Sequence, residues 1–195
     1  MRRAIVLLVG FLVSILAQNV WGERVGEYLV DNKRIHVPAP NGFKNIIETP
    51  KGKYIAANNY PYSDVLAFFV PENVDVEKPD TKIRRYMVLT VPKRPQLRIP
   101  ISPIQFIKMR EGIKFVAQKD NAVVIYDMPR SIATMKIITN EPTPFVSIGA
   151  TVLLPEAPVT VQIKSALENE NDKMLAIASI KNWIEDIIKR NPWRR

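Results

Sequence analysis

Residues 122–165 read AVVIYDMPRSIATMKIITNEPTPFVSIGATVLLPEAPVTVQIKS, and they give the clearest indication of the fold class. It is rich in valine, isoleucine and threonine, which favour strands. Prolines interrupt it at intervals, and a proline cannot donate to a strand ladder. Short apolar runs with such breaks are typical of neighbouring antiparallel strands. The stretch therefore predicts four strands, at residues 122–126, 132–139, 145–154 and 159–165.

The chain before this stretch adds further strands. Asp31 and Asn32 tolerate the positive φ of a tight turn, so they predict a hairpin. Residues 48–62 are rich in proline, glycine and asparagine and are predicted to be mostly loop. The predicted strands lie at residues 28–30, 34–37, 43–47, 64–70 and 82–91.

Two segments carry the signals of helices. Ser102, Pro103 and Gln105 form an N-terminal capping pattern, which predicts a helix that runs to about residue 119. A second helix with a broad apolar face is predicted over residues 171–190. The apolar stripe of the first helix is predicted to consist of Phe106, Met109, Ile113 and Val116.

These elements predict an α+β fold for residues 23–195, with no sign of a second domain. The expected architecture is a mostly antiparallel sheet with a mid-chain helix and a C-terminal amphipathic helix packed on it.

The first 22 residues have the order of a secretory signal peptide: two arginines, an apolar run over residues 4–17, and small residues near the end. Cleavage is predicted after Gly22, with Ala17 as the alternative. An uncleaved inner-membrane anchor is the other interpretation, although membrane spans usually need about 20 apolar residues. The sequence therefore predicts a bacterial protein that is periplasmic or secreted.

The composition excludes several classes of chemistry. The chain has no Cys, one His and 7 Gly among 195 residues. Thiolate catalysis, disulfides and multi-histidine metal sites are therefore excluded, and no phosphate-binding glycine loop is present. We expect no cofactor, no metal site and no enzymatic activity.

A few residues could still support catalysis. His36 could act as a general base or a pH switch, but its alternation with Ile35 and Val37 also fits a solvent-facing strand position. Paired carboxylates could hydrolyse a glycan if two of them flanked the scissile bond. Acidic loop residues are more often solvated. The candidate acids are Asp64, Glu72, Asp120, Asp127 and Glu141.

Two C-terminal features have ordinary explanations that we prefer. Residues 168–172 alternate acids and asparagines like part of a calcium loop, but they lack its glycine and its final glutamate. Acids near a helix N-terminus favour the helix dipole instead. Trp193 precedes Arg194 and Arg195 and could sit at a membrane interface, or it could be a tail packed on the surface.

The positive charge is concentrated in one segment. The formal net charge is +9, and residues 81–119 contain ten Lys and Arg residues against the single acid Glu111. Such a segment could attract an anionic envelope component or an acidic protein. Nucleic acid is disfavoured, because no nucleic-acid-binding motif accompanies the charge. The candidate partner surface consists of Arg84, Lys93, Arg94, Arg98, Lys108, Arg110 and Lys114.

Three further motifs carry a family resemblance. The turn Pro38-Ala39-Pro40-Asn41-Gly42-Phe43 ends the hairpin. The strand Leu66-Ala67-Phe68-Phe69-Val70 precedes the basic-aromatic strand Arg85-Tyr86-Met87-Val88-Leu89-Thr90. A capped helix start with a phenylalanine, Ser102 to Phe106, follows that strand. The last helix contains Trp183-Ile184-Glu185-Asp186-Ile187 and ends at Asn191-Pro192.

In this order the motifs resemble a family of uncharacterised exported bacterial proteins. The resemblance implies export but no assigned activity, so it carries over no site residue. A more distant likeness is to the photosystem-II P-protein/Mog1-like sandwich fold, and it concerns architecture alone.

The sequence thus favours a non-enzymatic, envelope-associated binding or accessory domain of unknown ligand. Peripheral membrane contact would be compatible with the basic segment. The alternatives are a cofactor-independent carboxylate hydrolase acting on cell-wall glycans, or a membrane-anchored interaction protein if the leader is retained.

Overall fold

The computed structural model describes residues 25–78, 80–140 and 142–193. These residues contain nine strands and three α-helices. The predicted signal peptide, residues 1–22, lies outside the described residues. The strands are β1 Val25–Val30, β2 Lys33–Pro38, β3 Phe43–Asn45, β4 Ser63–Pro71, β5 Arg85–Pro92, β6 Val123–Met128, β7 Ser131–Ile138, β8 Phe145–Leu153 and β9 Pro158–Ala166. The helices are α1 Pro50–Asn59, α2 Pro103–Lys119 and α3 Glu170–Arg190, and a single 3-10 turn spans Pro95–Leu97.

Seven strands form one antiparallel sheet in the order β3-β4-β5-β9-β8-β7-β6. The four strands predicted from residues 122–165 are confirmed as β6 to β9. β1 and β2 form a separate hairpin, whose turn residues Asp31 and Asn32 have φ values of 49° and 66°. The predicted α+β class is confirmed, including the helix in mid-chain and the helix at the C-terminus.

One face of the sheet is covered by α3 and the hairpin. Ile180, Ile184 and Ile187 of α3 are fully buried against apolar residues of the central strands. Trp183 fastens the hairpin to this layer, because its indole Nε1 donates a hydrogen bond of 2.8 Å to the carbonyl of Pro38. Asn191 adds a second link.

The Asn191 link ties the end of α3 to the backbone of β2. Its amide nitrogen donates to the carbonyl oxygen of His36, and its amide oxygen accepts from the backbone N–H of His36. The amide nitrogen also donates to the carbonyl of Ile187. The buried side chain thus continues the hydrogen bonding that a neighbouring strand would supply to β2.

The opposite face is covered at one end by α1 and the segment that follows β4, and at the other end by α2. α1 packs against β4, where Phe68 and Val70 form a buried cluster with Ile46. α2 packs against β6 and β7 and buries Phe106 against Ile132 and Leu153. The buried clusters of the described residues all fall within residues 28–188, so residues 23–195 contain the whole of this core.

Two local predictions are wrong. Residues 50–59 are helical rather than loop, because Thr49 caps the helix by accepting from the N–H of Gly52, and Pro50 starts it. On α2 the predicted stripe is only half right: Phe106 is buried and Ile113 is partly buried, but Met109 and Val116 are exposed. The inward positions are taken instead by Arg110, Lys114 and Ala117.

Candidate functional site

Helix α2 and the segment leading into it contain most of the cations predicted to form a partner surface. The helix begins as predicted: the Ser102 hydroxyl accepts from the N–H of Gln105, and the Gln105 side chain accepts from the N–H of Ser102. This capping box satisfies two backbone N–H groups at the start of the helix.

Arg98 anchors the segment that precedes α2. Only 13% of its side chain is exposed, and its guanidinium forms ion pairs with Asp64 on β4 and Asp31 in the hairpin turn. Its Nε also donates to the carbonyl of Pro92 at 2.5 Å. Since the charge of Arg98 is offset by two carboxylates, it offers little positive potential to a partner.

Arg110 and Lys114 point towards the sheet, where they share one carboxylate. The Nε of Arg110 lies 2.7 Å from the Asp127 carboxylate, and the Nζ of Lys114 lies 2.8 Å from its other oxygen. Lys114 also pairs with Glu111 at 2.8 Å. The Lys114 ammonium, with the Arg110 guanidinium, holds the pKa of Asp127 below its ordinary value. In turn, hydrogen bonding to Asp127 raises the pKa of Lys114.

We expect Asp127→Asn to reduce stability at neutral pH and to have less effect in acid. A carboxyl whose pKa is lower in the folded state stabilises that state above its unfolded pKa of about 3.9. The contribution is lost as the pH falls through the folded pKa. Thermal melting at neutral and acidic pH checks this, with the exposed Asp120→Asn as control. A melting-temperature difference that stays constant with pH would contradict it.

Arg84 is also paired, since its Nη1 lies 2.5 Å from a carboxylate oxygen of Glu168. The other predicted cations are Lys93, Arg94 and Lys108. All three are exposed, and the described residues place no carboxylate within ion-pair distance of them. Of the seven cations predicted, these three therefore contribute most to the positive surface.

The outward side of α2 interleaves cations with large apolar side chains. Ile104, Lys108, Phe115 and Lys119 are separated by four, seven and four residues, which places them on one helical ridge. Ile104 is 71% exposed and Phe115 is 58% exposed. The Lys119 ammonium lies 4.3 Å from the centre of the Phe115 ring. We call these four residues the α2 surface. Lys93 instead lines a cleft beside α1, together with Glu48 and Asp64.

Leu97 and Ile99, in the segment before α2, are exposed as well. The partner surface predicted from the sequence includes neither these apolar residues nor those of the ridge. The signal was available, because Ile104 and Phe115 lie outside the apolar stripe predicted for α2.

The residues considered for catalysis do not converge in the described part of the chain. His36 lies on β2 with its Nδ1 3.7 Å from Glu27. It lines an open cleft of about 780 Å³ whose lining contains no serine, threonine or tyrosine. Asp64 lies on β4 and Asp127 on β6, which are far apart in the sheet. Each is ion-paired to a different arginine. Glu72 and Asp120 are exposed, and Glu141 lies outside the described residues.

A carboxylate hydrolase would need one acid with a raised pKa, whereas the pKa of Asp127 is lowered. Residues 25–78, 80–140 and 142–193 contain no group of three or more acids and histidines placed to hold a metal ion. The helices within these ranges are too short or too polar to cross a membrane.

The acidic cluster of residues 168–172 and the side chain of Trp193 fit the ordinary explanations preferred for them from the sequence. Asn169 caps α3 by accepting from the N–H groups of Asn171 and Asp172, and Asp172 accepts from the N–H groups of Glu168 and Asn169. The acidic cluster is thus a capping box. Trp193 rests near Arg130, whose guanidinium lies 5.7 Å from the ring centre.

The comparisons with known proteins give no family for this chain. No protein-family model, no curated protein and no solved structure matches it. The resemblance to exported bacterial proteins therefore stays a prediction.

Proposed function

We propose that this protein is a non-enzymatic, exported domain of the bacterial cell envelope that binds an anionic lipid surface. The observation that carries the proposal is the α2 surface, with its alternation of Ile104, Lys108, Phe115 and Lys119 on one exposed ridge. Export is supported by the order of residues in the N-terminal segment.

The chemistry of the α2 surface suits a lipid headgroup region better than bulk water. Helices that lie in a membrane interface combine basic residues with exposed aliphatic and aromatic ones. Each cation close to an anionic bilayer contributes about 1 kcal/mol of attraction. The apolar ends of Ile104 and Phe115 would gain further free energy by leaving water.

Reversing two charges of the α2 surface is expected to weaken binding to anionic vesicles at least about 10-fold. The variant is Lys108→Glu/Lys119→Glu in residues 23–195. The measurement is co-sedimentation with phosphatidylcholine vesicles, with and without phosphatidylglycerol. Binding by the unmodified protein should require the anionic lipid and should fall as salt is added.

A matched control carries the same change in charge elsewhere. Lys33→Glu/Lys189→Glu alters two exposed lysines of the hairpin and α3, which cover the other face of the sheet. This control should bind anionic vesicles nearly as well as the unmodified protein. Equal losses in both double variants would contradict the assignment to α2, because they would show a response to net charge alone.

A further inference from the structure

The connection between β5 and α2 exposes two large aliphatic side chains close together. Leu97 is 58% exposed and Ile99 is 60% exposed, whereas only 13% of the Arg98 side chain between them is exposed. Ile101, two residues further on, packs against the buried cluster around Phe106. The connection therefore has a side that faces the core, and Leu97 and Ile99 lie on its other side. We call residues 93–99 the 93–99 segment.

The backbone of the 93–99 segment is held in place at several points. The Lys93 N–H donates to the carbonyl of Tyr62 at 3.0 Å, and the Arg98 N–H donates to the carbonyl of Pro95 at 2.9 Å, which closes the 3-10 turn. The Arg98 guanidinium also donates to the carbonyl of Lys93 at 3.0 Å, and its ion pairs tie the segment to β4 and the hairpin turn. Because the backbone is already ordered, binding through Leu97 costs little further entropy.

Cations without a carboxylate partner adjoin the two aliphatic side chains. Lys93 and Arg94 are exposed, and none of the described carboxylates forms an ion pair with either of them. Residues 81–110 contain no Asp or Glu. Tyr62, whose carbonyl is bonded to Lys93, is 88% exposed. Basic, aromatic and aliphatic side chains that are exposed together are typical of a surface that meets a membrane interface.

A lipid bilayer suits the 93–99 segment better than a protein partner does. The core of a protein interface is as closely packed as a protein interior, so a partner would need a pocket shaped for two projecting aliphatic side chains. Acyl chains need no such pocket, because they rearrange around the side chains that enter them. The charge is also complementary, since Lys93 and Arg94 lie beside Leu97 where anionic headgroups would lie beside the acyl chains.

We propose that Leu97 and Ile99 insert between the lipids of an anionic bilayer, with Lys93 and Arg94 at the level of the lipid phosphates. This inference rests on the proposed membrane function and adds a second contact to it. The α2 surface attracts the domain to the bilayer mainly by charge, whereas the 93–99 segment retains it through burial of apolar surface. Arg98 is a positioning residue, because it holds the backbone on which both aliphatic side chains are presented.

Removing the two aliphatic side chains is expected to weaken binding to phosphatidylcholine–phosphatidylglycerol vesicles at least about 10-fold. The variant is Leu97→Ser/Ile99→Ser in residues 23–195. Its loss should persist as salt is added, because burial of apolar surface is not screened by ions. The loss in Lys108→Glu/Lys119→Glu should shrink under the same conditions.

A matched control removes two equally exposed apolar side chains from another part of the protein. Met174 and Leu175 of α3 are 62% and 55% exposed. Met174→Ser/Leu175→Ser should bind the vesicles as well as the unmodified protein, and thermal melting should show both double variants to be folded. Equal losses of vesicle binding in the two variants would contradict the assignment to Leu97 and Ile99.

The depth of insertion can be measured directly, because the chain contains no cysteine and a single introduced one can be labelled. A nitrobenzoxadiazole label on Leu97→Cys should be quenched by nitroxides attached to the acyl chains. Adding vesicles should also shield this label from iodide in the water. The same label on Lys189→Cys, at an exposed position of α3, should remain open to iodide.

The outcomes separate a failure of this proposal from a failure of the proposed function. Binding by the unmodified protein with a Leu97 label that stays open to iodide would overturn insertion alone, and so would unchanged binding by Leu97→Ser/Ile99→Ser. Absence of binding to anionic vesicles would overturn both. Dimerisation without lipid that Leu97→Ser/Ile99→Ser abolishes would assign the two side chains to a contact between copies instead, and would overturn insertion.

Discussion

Trp183→Ala is expected to lower the free energy of unfolding by about 3–5 kcal/mol, the usual cost of deleting a buried aromatic side chain. Trp183 is 2% exposed and meets the ring of Phe69 edge-on, with 5.6 Å between centres. It also holds the hairpin through its bond to the carbonyl of Pro38. Truncation leaves a cavity between α3 and the sheet and a buried carbonyl without its donor.

Chemical denaturation measures this loss in the free energy of unfolding. A second variant separates the lost hydrogen bond from the lost apolar volume, and a third serves as control. Trp183→Phe keeps much of the apolar volume but removes the donor, so an intermediate loss is expected. Trp193→Ala is the matched control, because Trp193 is 40% exposed and should cost less than about 1 kcal/mol. Similar losses for Trp183→Ala and Trp193→Ala would contradict the central position of Trp183 in the core.

The sheet and the capped helices could be predicted because their signals are local. The capping residues of α2, Ser102 and Gln105, lie three positions apart, and the turn residues Asp31 and Asn32 act on their own backbone. Proline breaks separate the strands from β6 to β9. None of these features depends on a distant part of the chain.

α1 was missed because its composition opposes its conformation. Gly52, Asn58 and Asn59 have low helix propensity, so the segment resembles a loop. Packing of Ile55 on the cluster around Phe68 outweighs that propensity. The pair Thr49-Pro50 repeats the Ser102-Pro103 start of α2 and was the signal that could have identified the helix.

The orientation of α2 depends on contacts between segments remote in sequence. Arg110 and Lys114 turn inward because Asp127 of β6 receives them, and this rotates Met109 and Val116 outward. Arg110 and Lys114 are predicted to belong to the partner surface. In the structure they form ion pairs on the side of α2 that faces the sheet.

Gly52→Ala is expected to destabilise the protein by about 2 kcal/mol or more. The cost of overpacking exceeds the stability that alanine gains over glycine through its higher helix propensity. Gly52 is buried in the first turn of α1, and a Cβ there would lie 1.9 Å from the carbonyl oxygen of Ile46. The obstacle is backbone rather than a flexible side chain. Relief would therefore require α1 to move away from Ile46, which would disturb the cluster around Phe68.

Gly112→Ala provides the opposite case within the same protein. Gly112 lies in the middle of α2, and a Cβ there would meet nothing within 4 Å. This substitution should stabilise the protein by about 0.5–1 kcal/mol, since alanine loses less backbone entropy than glycine in a helix. Denaturation midpoints of the two variants should thus move in opposite directions. A shift of both in the same direction would show that the contact of Gly52 with Ile46 does not control its effect.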